Sequence, residues 1–337
     1  MQRTFHPAVS AALLAAAACA HAPARAPLPA VAWPEAPAAP RVRLVDLFPD
    51  PSSPGPGASG WQSVLDTVAG VEATERPQSW LARPFGVAVA PDGAFVVADP
   101  DRPSVVRVGP RGAEQLECRG RAWRAPMAVA FGPDGALWVA DGGAGEVVRR
   151  APDGRCTALG AGVLERPTGL VVEADRLFVV DPPRHQVVVL SPDGRVLARY
   201  GALGEGEGQL HFPTAIARAA DGSLLVVDAL NFRVVRFSPE GAWLGAFGVA
   251  GETRATLGRP KGIAVDGAGR IYVSDAQRDV VLVFGADGTF DTELCATGAD
   301  PGSLVMPAGL AIGGGRLYVA DSQNGRVQVF EILGGSP

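Results

Sequence analysis

Apolar residues fall along most of the chain in short runs separated by polar, glycine-bearing turns, and the runs recur in register. Six segments open on proline and continue as an apolar strand. They start at Pro84, Pro126, Pro167, Pro213, Pro260 and Pro307. Each is followed by a turn and a second apolar run that ends in aspartate: Asp99, Asp141, Asp181, Asp228, Asp275 and Asp321. The proline-to-aspartate distances are 15, 15, 14, 15, 15 and 14 residues, and successive aspartates lie 42, 40, 47, 47 and 46 residues apart. The runs are β-branched or aromatic, as in Phe178-Val179-Val180 and Ile271-Tyr272-Val273, and too short for helices. Turns such as Pro91-Asp92-Gly93 and Ala220-Asp221-Gly222 separate the first two strands. A third strand follows the aspartate (Val187–Leu190, Val327–Phe330), then a second turn such as Pro192-Asp193-Gly194, then a fourth strand (Val196–Gly201, Ala242–Gly248). Four strands in such a repeat is the size of one propeller blade.

The pattern therefore predicts an all-β fold, a six-bladed β-propeller of four-stranded antiparallel blades. The last unit stops after its third strand, which would leave an open sheet edge. The missing strand is expected from the N-terminal side, at Arg41–Phe48, and the propeller from 41 to 331, with 332–337 as a tail. Trp61, Val64, Leu65 and Val68 lie on a helical stripe and predict a short helix over 59–69. In a rival reading Val64–Ala69 is the closing strand.

The first residues read differently. Arg3 precedes an eleven-residue apolar run, Ala8–Ala18, too short to span a bilayer and the right length for a signal-peptide core. Ala16-Ala17-Ala18-Cys19 resembles a bacterial lipoprotein box, whose cysteine is lipidated, so residues 1–19 are expected to be a signal peptide and Cys19 the lipidation site. Ordinary cleavage after Ala18-Cys19-Ala20 is the alternative. Over 20–40 a tether is expected: six Pro and eight Ala take 14 of the 19 positions from Ala22 to Pro40. Such composition favours extended polyproline II, at ~3.1 Å per residue a reach of roughly 60 Å. The protein is thus expected in the cell envelope, touching the membrane only through a lipid anchor, or secreted.

Composition narrows the functional classes. Of 30 basic residues only Lys261 is lysine, and the net charge of −5 disfavours a nucleic-acid surface. The sequence Pro-x-Gly-Ile-Ala-Val, turn, Ile-Tyr-Val-x-Asp, with glycine-rich links (Gly201, Gly204, Gly208, then Pro213; Gly248, Gly251, Gly258, then Pro260), resembles the NHL repeat over about residues 84–330. No Trp-Asp pair ends a strand, so WD repeats match less well. The resemblance implies a six-bladed propeller and leaves function open, since such folds host binding modules and enzymes alike.

Candidate chemistry is sparse. The six aspartates, one per blade, are expected to be structural, capping the turn after each strand or pairing with an arginine such as Arg233 or Arg326. Beyond the signal region the only histidines are His21, His185 and His211, too few in the propeller for the three-histidine zinc site of amidating-lyase relatives. The two asparagines, Asn231 and Asn324, follow blade aspartates in turns, which argues against a lactonase-type Glu/Asn/Asp metal site. No Gly-x-Ser-x-Gly occurs, and no catalytic residue is assigned. No cofactor is implied; a divalent cation held in the channel by Asp and Glu alone is the remaining alternative. Cys118, Cys156 and Cys295 are expected as free thiols in diverging outer strands, with Cys118 and Cys156 the only pair in adjacent blades. Arg83, Arg166 and Arg259 immediately precede the prolines of blades 1, 3 and 5, which lie 120° apart in a ring of six, and Lys261 is beside them. Together they predict an electropositive channel mouth that accepts a carboxylate or sugar acid. The alternative is that these stems pack on neighbouring blades. The reading is a monomeric binding platform for a protein, peptide or saccharide, with a metal-dependent lactonase or lyase as the alternative.

Overall fold

A computed structural model describes residues 27–35, 38–49, 79–251 and 253–333. The signal segment, Cys19 and the helix or strand expected between 59 and 69 lie outside the described residues. Six antiparallel sheets stand around one axis. Their innermost strands are Gly86–Val89, Pro126–Phe131, Gly169–Val172, Pro213–Arg218, Pro260–Val265 and Pro307–Gly313. Each packs on the next, and the last packs on the first, so the ring is closed. The core is correspondingly divided into six apolar clusters, one between each pair of neighbouring blades. This explains the unbroken apolar second strands. Both faces of every blade are covered, and Phe178, Val179 and Val180 are all fully buried.

Blade 6 is completed from the N-terminal side. Strand β1 (Ala32–Trp33) pairs with β2 (Val42–Phe48), and β2 pairs antiparallel with Arg326–Ile332, Val42 facing Ile332 and Phe48 facing Val327. The predicted closing strand is therefore the observed one. Ala32–Trp33 falls inside the stretch expected to be a tether; it is part of the sheet because the Trp33 ring is buried edge-on against Phe330, at 5.6 Å between centroids.

The proline-x-glycine that opens most blades is a contact device. A Cβ on Gly262 would lie 2.3 Å from the Ala308 carbonyl oxygen of the next blade, and one on Gly309 would lie 2.3 Å from that of Phe85. Only glycine lets adjacent inner strands approach so closely. Hydrogen bonds follow the same path around the axis: Thr168 Oγ1 donates to the Thr214 carbonyl (2.9 Å), Thr214 Oγ1 to that of Lys261 (2.9 Å), Ser274 Oγ to that of Ala308 (2.5 Å), and Ser322 Oγ to that of Pro84 (2.5 Å).

The cysteine expectation is corrected. Cys118 and Cys156 form a disulfide with Cα atoms 5.6 Å apart, and Cys295 alone is free among the described residues. Outer strands do diverge, but Cys118 is not on one. After Gly112–Gln115 the chain folds back, with the Leu116 amide on the Val105 carbonyl and Trp123 Nε1 on the Leu116 carbonyl at 2.9 Å. That turn carries Cys118 across to blade 2, where Arg150 Nε also donates to the Glu117 carbonyl (3.0 Å).

Candidate functional site at the channel mouth

The six blade aspartates are wholly buried, and they fix the loops that enter the first strands. Asp99 accepts the Ala82 and Arg83 amides (2.6 and 2.9 Å), Asp181 that of Arg166 (2.9 Å), and Asp275 those of Gly258 and Arg259 (2.6 and 2.9 Å). Arg233 and Arg326 pair with Asp228 and Asp321 at 2.9 and 2.7 Å. Asn231 and Asn324 donate to the same two carboxylates, in the turns and away from the axis. In blades 4 and 6 the residue before the proline behaves differently. Phe212 and Met306 have φ of 55° and 51°, and their amides turn to His185 Nδ1 (3.0 Å) and Asp279 Oδ1 (2.7 Å) of the preceding blade. The backbone thus presents arginine in the same way in blades 1, 3 and 5.

Arg83, Arg166, Arg259 and Lys261 line one cavity of about 380 Å³ at this end of the channel. The arginines are exposed around its rim and Lys261 is half-buried at its floor. The remaining wall is largely apolar, with Phe85, Met127, Met306 and Ala308. A single acid, Asp101, lines it too. Arg83 is engaged, reaching Asp101 at 3.4 Å and Gln323 Oε1 at 3.1 Å. The side chains of Arg166, Arg259 and Lys261 have no partner of opposite charge among the described residues. The Lys261 ammonium instead faces the Phe85 ring of blade 1, 5.6 Å from its centroid. Burial lowers the Lys261 pKa below the ordinary lysine value, and the charges of Arg259, Arg83 and Arg166 lower it further.

Sequence reasoning missed Phe85 and Asp101. Phe85 had a findable signal: the residue just after each opening proline (Phe85, Met127, Thr168, Thr214, Lys261, Ala308) lines the axis. The larger cavity at the other end of the channel, about 860 Å³, was also missed. There Glu173 is held by Arg176 at 2.9 Å and by Arg218, and Arg316 lines the same wall. Among the described residues no three His, Cys, Asp or Glu side chains converge as a metal site. The His185 and His211 rings meet at a tilt of 51°, with centroids 5.6 Å apart. No helix of the described residues is long and apolar enough to cross a membrane.

Residues 304–330 match the NHL repeat model. No curated protein matches the chain. Solved structures do. A virginiamycin B lyase from Staphylococcus aureus is 14% identical, covers 75% of this chain and 96% of its own, and has a TM-score of 0.57. A gluconolactonase from Xanthomonas campestris is 21% identical, with 75% and 86% covered and a TM-score of 0.60. An auxiliary nutrient binding protein from Bacteroides thetaiotaomicron is 9% identical, with 74% and 69% covered and a TM-score of 0.59. At these identities the likeness is one of fold. The closed ring makes this chain a six-bladed β-propeller, and the stretch 304–330 in its last blade matches the NHL repeat.

Proposed function

We propose that the protein is a binding platform whose channel mouth receives an anionic group, a carboxylate or sugar acid, borne by a peptide or saccharide. One observation carries this reading: four cations converge on a cavity that a single acid lines, and among the described residues two of the three arginines have no partner of opposite charge. Assembling like charges costs free energy, and an incoming anion recovers it. Arginine also suits a planar carboxylate, because its fork donates two parallel hydrogen bonds. The structural neighbours include a lyase, a gluconolactonase and a nutrient binding protein, so they do not choose between catalysis and binding. The cation excess is an attribute of recognition and supports binding. In the same reading the mature chain begins at a lipidated Cys19 and is held at the cell envelope by the segment that follows.

Calorimetric titration with glucuronate and glucose tests the site. Glucuronate is expected to bind and glucose not. Arg166→Ala and Arg259→Ala are each expected to weaken glucuronate by about tenfold, the worth of one charge-assisted pair. Equal affinity for acid and neutral sugar, or none for either, would remove the reading. Metabolic labelling with palmitate, lost in Cys19→Ala, tests the anchor.

A further inference from the structure

Of the four cations at the mouth, only one can lose its charge. The chain uses arginine at 29 of its 30 basic positions, and an arginine stays protonated at any working pH. Lys261 alone offers a side-chain amine. It starts the inner strand of blade 5 and faces Phe85 of blade 1, so its Nζ lies across the axis at the cavity floor. Among the described residues it has no carboxylate partner; the one acid in the wall, Asp101, is taken by Arg83. Desolvation, like-charged neighbours and a missing counter-ion all favour a neutral amine. Those are the conditions under which a lysine becomes a nucleophile toward carbonyl compounds. Burial and the three arginines do lower its pKa, in keeping with the geometry.

We propose that Lys261 captures a small oxo-acid, a carboxylate with an aldehyde or ketone on the adjacent carbon, as a reversible imine. The proposal rests on the mouth being an anion site and names the class of anion. The carboxylate is held by Arg166 and Arg259, whose guanidinium groups have no carboxylate partner among the described residues. The Nζ lone pair adds to the carbonyl carbon. A proton passes from nitrogen to the former carbonyl oxygen, giving a carbinolamine. That hydroxyl takes up the remaining nitrogen proton and leaves as water as the C=N bond forms. No electrons are gained or lost, and water reverses the sequence. The imine nitrogen then takes a proton from solvent water, and its positive charge lies beside the carboxylate, which offsets the field of the arginines.

The test uses the full chain with pyruvate and cyanoborohydride, which reduces an imine to a stable secondary amine. Peptide masses are expected to show one carboxyethyl group on Lys261 and none at that position in Lys261→Arg. The double variant Arg166→Ala/Arg259→Ala is expected to be labelled at least about tenfold more slowly, with acetate competing in the parent protein. The N-terminal amine is an internal reference, and labelling of Lys261 no faster than that amine overturns the proposal. Calorimetry with pyruvate and acetate separates the two readings. Heat from both without a Lys261 adduct overturns the imine and leaves the anion site standing. Neither heat nor adduct overturns both. Thermal unfolding of Lys261→Arg at the parent temperature shows that a lost adduct is not a lost fold.

Discussion

At the scale of the residue, Lys261 links stability to ligand. Its pKa in the folded protein lies below the ordinary 10.5, so the unfolded chain holds the proton more tightly. Folded stability then carries a penalty that is fully present below the folded pKa and fades as pH rises through it toward 10.5. Lys261→Met removes the charge and keeps a stem of similar length against Phe85. At neutral pH it is expected to raise the melting temperature of the ligand-free protein by about 2 °C, the equivalent of up to about 1 kcal/mol in a domain of this size. The gain should shrink as pH rises toward 10.5 and reverse in saturating glucuronate, which stabilises the parent more than the variant. Differential scanning calorimetry across pH, with and without the acid, reads all three. This residue was half legible. Its rarity and its place beside an opening proline were visible in the sequence. Its contact with Phe85 was not, because a repeat period shows which positions are equivalent and not which of them meet across the axis.

At the scale of the element, the blade aspartates act through the amides they hold. Asp275 accepts four, from Gly258, Arg259, Gln277 and Arg278, at 2.6 to 3.2 Å. Asp321 accepts the Val305 amide at 2.8 Å and pairs with Arg326 at 2.7 Å. Alanine at either position leaves buried donors without an acceptor and is expected to cost about 3–5 kcal/mol. The two differ in what they anchor. Asp275 positions the backbone of Arg259 at the cavity rim, and Asp321 anchors no residue of the arginine set. Asp275→Ala should therefore weaken glucuronate binding as well as lower the melting temperature, whereas Asp321→Ala should lower the melting temperature alone. Equal affinities in both variants, measured below their unfolding transitions, would show that the aspartate does not set the arginine's position. The strands, the turns and the blade count were all legible, since short β-branched apolar runs bounded by Asp-Gly turns and repeated in register have one reading. The link after the outer strand of blade 1 was not. Nothing in 116–123 announces that the chain doubles back, and on that turn depends the pairing of Cys118 with Cys156.

At the scale of the whole molecule, two devices hold the ring, and they act at different places. The disulfide joins blades 1 and 2 and closes a loop with a sequence separation of 38. Chain entropy assigns such a loop about 4 kcal/mol, so Cys118→Ser/Cys156→Ser is expected to lose up to that much in urea unfolding. Blade 6 has no covalent tie and depends on β2. That strand serves both interfaces beside blade 6: Val42 and Leu44 pack with blade 5, and Val45 and Phe48 with blade 1. A register shift between Leu44 and Asp46 divides the strand between these two surfaces. Val42, Leu44 and Leu47 are buried, and at roughly 1.5–3 kcal/mol each their loss approaches the whole net stability of a domain. It also bares the edge of Arg326–Ile332, an unpaired strand ready to pair with another copy. A chain beginning at residue 50 is therefore expected to aggregate or melt far below the parent. A synthetic peptide spanning 40–49 should restore a cooperative transition, because the groove it fills is formed by the other strands. The same peptide with Leu44→Asp should not, since position 44 lies in the cluster between blades 5 and 6. A truncated chain that melts with the parent would place ring closure elsewhere than in β2.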